Sequence, residues 1–143
     1  MKTVNFVIAG IPVAKGRPRF RVFRGFVQSY TPAKTKLAEK AIKEEFQKSY
    51  PDFDKPFNGP IRLTVRFFMP VPESISKKKK SLLYGKSHTK KPDLDNLVKT
   101  VCDALNGVVW NDDSQIVELY ETKQYALESD EPSTCVWIEE IDL

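Results

Sequence analysis

Residues 61–69 read Ile-Arg-Leu-Thr-Val-Arg-Phe-Phe-Met, with Ile61, Leu63, Val65, Phe67 and Met69 at every second position. Side chains of a strand point alternately to opposite faces, so this stretch is a strand with one apolar face that must be covered. Pro60 and the Pro70-Val-Pro72 run bound it, because proline cannot donate to a ladder. Two stretches have helical period and can supply the cover. Residues 33–49 follow Thr31-Pro32, a threonine N-cap with proline in the first helical position, and Leu37, Ala41 and Phe46 are the expected core stripe. In residues 93–105 the stripe is Leu94, Leu97, Val98, Val101 and Leu105. Strands are expected at residues 3–9, at 22–28 as a second strand or hairpin arm, and at 115–127 and 134–141 as a final antiparallel pair. The order β-β-α-β-loop-α-β-β implies an α+β fold over residues 1–143, a single compact domain with a mixed β-sheet and two main helices packed on it.

The second helix also carries acids. Asp93 and Asp95 stand at its start, where a carboxylate can accept a bond from a free first-turn N–H. Asp95, Lys99 and Asp103 climb the polar face at i+4 steps, and Asn106-Gly107 can end the helix through a left-handed residue. Asp112 and Asp113 follow Trp110. Taken singly, these residues read as caps, an ion-pair ladder and a turn. Together they need another reason, because carboxylates within ~4–6 Å of one another oppose ionisation. A divalent cation removes that repulsion. Mg²⁺ takes one or two carboxylates, waters and substrate phosphate, which suits Asp93, Asp95 and one of the Asp112–Asp113 pair. Lys99 could then balance the acids or reach a phosphate.

Asp93-Leu-Asp-Asn-Leu-Val-Lys99, then Asp103-Ala-Leu, then Trp110-Asn-Asp-Asp-Ser-Gln resembles the signature of the RusA family of Holliday-junction resolvases of bacteria and their phages. The resemblance implies that Asp93, Asp95 and Asp113 are catalytic and hold Mg²⁺, with Mn²⁺ as a possible substitute, and that Lys99 is the catalytic lysine. Asp103 and Asp112 fall on possible auxiliary positions. It further implies a homodimer acting on four-way junction DNA in recombination and repair.

Charge is unevenly distributed behind a net +4. Residues 1–38 hold eight Lys or Arg and no acid, residues 77–91 hold seven Lys and no acid, and residues 112–143 hold ten acids against Lys123. Basic stretches beside an acidic cluster suit phosphates running past a metal site. Expected DNA contacts are Lys15, Arg17, Arg19 and Arg21, where Gly16 permits close backbone approach, and Lys77, Lys78, Lys79, Lys80, Lys90 and Lys91 in a loop over residues 73–91. Lys34, Lys36, Lys40 and Lys43 offer a further basic side. No stretch is long and apolar enough for a signal or a membrane span, so a cytoplasmic location without membrane contact is expected. Cys102 and Cys135 lack metal-ligand spacing and read as reduced packing residues, and His88 reads as a solvated loop residue. From the residues alone the best reading is metal-assisted phosphoryl transfer on nucleic acid. A non-catalytic basic DNA-binding protein is the alternative; a sugar-nucleotide transferase would need a glycine-rich nucleotide-binding unit for which the chain has little room.

Overall fold

A computed structural model describes residues 2–142. Strand β1 (Lys2–Ala9) is followed by a hairpin of β2 (Arg19–Phe23) and β3 (Phe26–Tyr30), then helix α1 (Ala33–Ser49) and strand β4 (Ile61–Met69). A short helix α2 (Lys77–Leu83), helix α3 (Leu94–Leu105) and strands β5 (Ile116–Tyr125) and β6 (Ser133–Glu140) complete the chain. The four long strands form one mixed sheet in the order β1-β6-β4-β5, and β2-β3 stand as a separate ribbon. The fold is α+β, as the order of patterned segments implied.

The alternating strand is the spine of the sheet. Ile61, Leu63 and Val65 are fully buried, beneath Leu97, Val101 and Leu105 of α3 and Ile42 and Phe46 of α1. Full burial of a Leu or Val side chain is worth ~1.5–3 kcal/mol, so the α3 stripe holds that helix to the sheet. The register aligns inward-facing rows across the strands. One row runs Phe6–Val136–Val65–Glu121 and the next Ile8–Thr134–Phe67–Lys123. Both rows end in a charged residue on the helix-covered side of β5, the sheet edge beside α3.

Four sequence expectations need correction. The last two strands are not an antiparallel pair: β5 lies parallel to β4, and β6 inserts between β1 and β4, antiparallel to both. The reason lies in composition. Glu118, Glu121 and Lys123 are tolerated on an edge strand, whereas Thr134-Cys-Val-Trp-Ile138 carries no charge and suits a central position. Along α1 the buried residues are Thr35, Ile42 and Phe46, while Leu37 is 67% exposed and Ala41 is exposed too. Pro32 is the N-cap of α1, and Thr31 precedes it without capping. The lysine run is helical rather than looped: Ser76 accepts a bond from Lys79 N at 3.2 Å, and lysine is a competent helix former.

Candidate active site

Helix α3 begins where two elements meet. Asp93 is its N-cap, yet its side chain makes no capping bond; Lys91 Nζ donates to its Oδ1 at 3.0 Å. Asp95 lies exposed in the first turn. Neither carboxylate is consumed by the helix, so both are available to a ligand. The segment leading to Asp93, whose Lys91–Pro92 peptide is cis, is held from β5. Lys123 Nζ donates to Lys90 O at 2.6 Å and to Pro92 O at 2.7 Å, and His88 N donates to Lys123 O at 3.2 Å. One ammonium thus fixes the backbone immediately before the first aspartate. His88 is half-buried with its ring edge-on to Tyr125 at 4.7 Å, so it is a packed residue, not the solvated one expected. Burial, reinforced by the Lys123 charge, lowers its pKa against the opposing effect of a backbone bond.

Glu121, one row along β5 from Lys123, faces the same helix. Its Oε2 is buried and has no hydrogen-bond partner, and burial together with the Asp95 charge raises its pKa. Asp113 lies in the turn that precedes β5. It follows fully buried Trp110, whose indole Nε1 donates to Asp113 Oδ1 at 2.7 Å. Burial raises the Asp113 pKa and the Asp103 and Asp112 charges add to this, opposed by the Trp110 bond. The half-buried Cys102 thiol is pushed up to about 12 by burial and by the charges of Asp113, Asp103 and Glu121. Acids of α3, β5 and the turn after Trp110 therefore share one neighbourhood.

The two adjacent aspartates differ in occupation. Asp112 caps the single 3-10 turn at Asp113–Gln115, accepting from Ser114 N at 2.9 Å while Gln115 Oε1 accepts from Asp112 N, and the Ser114 bonds hold its pKa below the usual range. Asp113 points inward to Trp110. The expected ladder of Asp95, Lys99 and Asp103 does not form. Asp103 pairs with Lys15 at 2.8 Å, Lys15 also bonds Glu39 at 2.8 Å, and exposed Lys99 has no ion-pair partner within 4 Å among the described residues. Burial disfavours the Lys15 charge, but its bonds to Asp103 and Glu39 outweigh this and raise its pKa. Lys15 is brought there because its backbone N–H donates to Asn96 O at 2.9 Å, in the first turn of α3. Arg17 and Arg19 line a cleft of about 740 Å³ together with Lys34, Lys91 and Pro92. Arg21 lies farther out on the ribbon, where its guanidinium stacks over Tyr30 at 5.3 Å; Lys77, Lys78, Lys79 and Lys90 are exposed, and Lys80 is half-buried.

Among the described residues no three His, Cys, Asp or Glu side chains converge closely enough to hold a metal by themselves. The donors are nonetheless hard oxygens, and the unpartnered Glu121 Oε2 beside Asp95 is an atom that a cation would satisfy. Mg²⁺ commonly takes only one or two carboxylates and completes its octahedron with water and phosphate, so the residues present fit that ion in the company of a phosphodiester. Lys123, Glu121 and the Trp110 indole were not singled out from sequence. A same-face Glu-x-Lys on a late strand was the available signal, but its meaning depends on the β4–β5 register.

Known proteins resemble this chain in sequence. A protein of Bacillus subtilis (strain 168), called uncharacterized protein YqaN, is 37% identical over 145 residues, covering 99% of each chain. A protein of Lactococcus phage r1t, called crossover junction endodeoxyribonuclease rusA, is 36% identical over 115 residues, 80% of this chain and 74% of that one. Residues 9–139, from the end of β1 through most of β6 and so spanning the whole site, match the family described as endodeoxyribonuclease RusA, and the chain belongs to that family.

Proposed function

We propose that the protein is a Mg²⁺-dependent endodeoxyribonuclease that resolves four-way DNA junctions in recombination and repair by cutting two strands, with Mn²⁺ able to substitute. The observation that carries this reading is that the α3 start offers two carboxylates the helix does not use, with an unpartnered Glu121 oxygen near Asp95 and, in the turn after the helix, an Asp113 held by Trp110. Asp93, Asp95 and Asp113 would hold the metal. When bound, the metal supplies charge neutralisation at the phosphodiester and a water of lowered pKa. Lys99, exposed and free of carboxylate partners within 4 Å among the described residues, reaches toward the phosphate and stabilises charge developing on its oxygens. Trp110 orients Asp113, and Lys123 sets the backbone ahead of Asp93. The protein acts as a homodimer in the cytoplasm, since one chain carries one acidic constellation and a four-way junction needs two symmetric cuts.

The test is incubation of a labelled four-way junction and a matched linear duplex with and without Mg²⁺. Paired nicks in the junction that require the metal are expected. Asp93→Asn, Asp95→Asn and Asp113→Asn should abolish cleavage while leaving junction binding intact or tighter, because an anionic charge facing phosphate is lost. Lys99→Ala should lose most turnover without unfolding. Wild type mixed with Asp95→Asn should form heterodimers that nick one strand. Junction binding without cleavage in either metal would favour the non-catalytic DNA-binding alternative.

A further inference from the structure

Among the described residues, no layer covers the β2–β3 ribbon. All five residues of β2 are exposed, as are four of the five in β3. Such a hairpin is marginal in water unless something packs on it. Its tip is well formed: Arg24 and Gly25 both have positive φ (51° and 80°), the geometry of a tight two-residue hairpin turn. Its root is clamped. Lys15 N bonds Asn96 O of α3, and Gly16 N donates to Thr35 Oγ1 of α1 at 3.0 Å. A Cβ on Gly16 would lie 2.9 Å from Pro32 Cγ, so the close crossing depends on glycine there. The ribbon is therefore an arm anchored one residue from Asp95.

The two faces of the arm differ in chemistry. The register pairs Arg19 with Tyr30, Arg21 with Gln28 and Phe23 with Phe26, which puts those six on one face. There Arg21 stacks over Tyr30, and at the tip Arg24 lies over Phe23 at 5.4 Å. The other face carries Phe20, Val22 and Val27, which are 70%, 75% and 72% exposed. Arginines of the first face continue into the cleft rimmed by Arg17, Arg19, Lys34 and Lys91, whose lining contains no acid and which ends at Pro92, next to Asp93. A cationic track thus leads from the arm to the carboxylates.

We infer that the ribbon is a DNA-gripping arm: its arginine face follows the phosphates of a strand entering the site through the cleft, and Phe20, Val22 and Val27 take the faces of bases unstacked at the branch point. This rests on the reading of the substrate as branched DNA. The apolar surfaces that DNA can offer are base faces, hidden in linear duplex and available where strands exchange. Charge also favours DNA over a second copy of the chain. Residues 1–38 contain no acid, so two arms laid together would oppose like charges. The apolar face is then what separates a junction from a duplex.

The experiment measures affinity of the full-length protein for a four-way junction and for linear duplex without divalent metal, so that no strand is cut, and sedimentation of the same proteins without DNA. Phe20→Ser combined with Val27→Ser should lower junction affinity at least about fivefold relative to duplex affinity, the lower bound for one stacked base. Arg19→Ala combined with Arg21→Ala should weaken both DNAs and reduce the log–log salt slope by about 0.7–0.9 per lost contact. Because these side chains are exposed, melting temperatures should match wild type. Equal loss on junction and duplex, or no loss, in the Phe20/Val27 variant overturns the inference. So does a shift of that variant from dimer to monomer with junction affinity per dimer unchanged, which would assign the face to a second copy. If wild-type protein cuts junctions while the arm variants bind and discriminate normally, only the arm is wrong; if wild type binds no DNA, the proposed function fails first.

Discussion

Lys123 offers the sharpest test of how β5 supports the site. Lys123→Met keeps the aliphatic stem but removes the donor of two bonds, 2.6 Å to Lys90 O and 2.7 Å to Pro92 O. A hydrogen bond from a charged donor contributes about 1.5–3 kcal/mol, and the carbonyl of exposed Lys90 can recover part of its loss from water, so the pair should be worth about 2–3 kcal/mol. At roughly 4 °C per kcal/mol for a chain of this size, Tm should fall by about 8–12 °C. The functional effect should exceed the loss of folded protein. The freed backbone lies directly before Asp93, and displacement of a reacting group by ~1 Å can cost about a hundredfold in rate. Cleavage of a four-way junction, followed well below the variant's Tm, should slow by that order while junction affinity is retained. Lys123→Arg, which keeps a charged donor, should restore much of both. A Lys123→Met protein that melts with wild type and cleaves at the wild-type rate would refute the reasoning.

Trp110→Phe removes the donor to Asp113 and leaves space in the core; a loss of roughly 2 kcal/mol is expected, with kcat reduced more than junction affinity, and chemical denaturation with single-turnover cleavage reads both. Lys77, Lys78, Lys79 and Lys80 point around the α2 axis at about 100° intervals, so no more than two or three can face one duplex; replacing all four with Ala should lower the salt slope by about 2, not 4. A fall near 4 would mean that the run unwinds on DNA, and no fall would leave it as a solubility device. His88 has a depressed pKa in the fold, so its contribution to stability is present above its unfolded value of about 6.5 and is lost as pH falls through the lower folded value. The stability gap between wild type and His88→Gln, measured by urea unfolding, should therefore narrow as pH drops from about 7.5 to 5; parallel curves would contradict the burial argument.

The alternation of Ile61, Leu63, Val65, Phe67 and Met69 and the 3.6-residue stripe of Leu97, Val101 and Leu105 were legible because period and burial are local properties of a chain. That Asp93 and Asp95 stand at the start of α3 and Asp113 in the turn that follows it was readable for the same reason. Tertiary structure alone decided that β6 enters between β1 and β4, that Lys15 takes Asp103 away from Lys99, and that Leu37 faces solvent while Thr35 faces in. It alone placed Glu121 and Lys123 opposite the start of α3. Those pairings join segments far apart in the chain, and a shift of one residue in the β4–β5 register would turn both β5 side chains to the opposite face. Local pattern specifies which face of an element is apolar; only the packed sheet specifies which neighbour its polar residues meet.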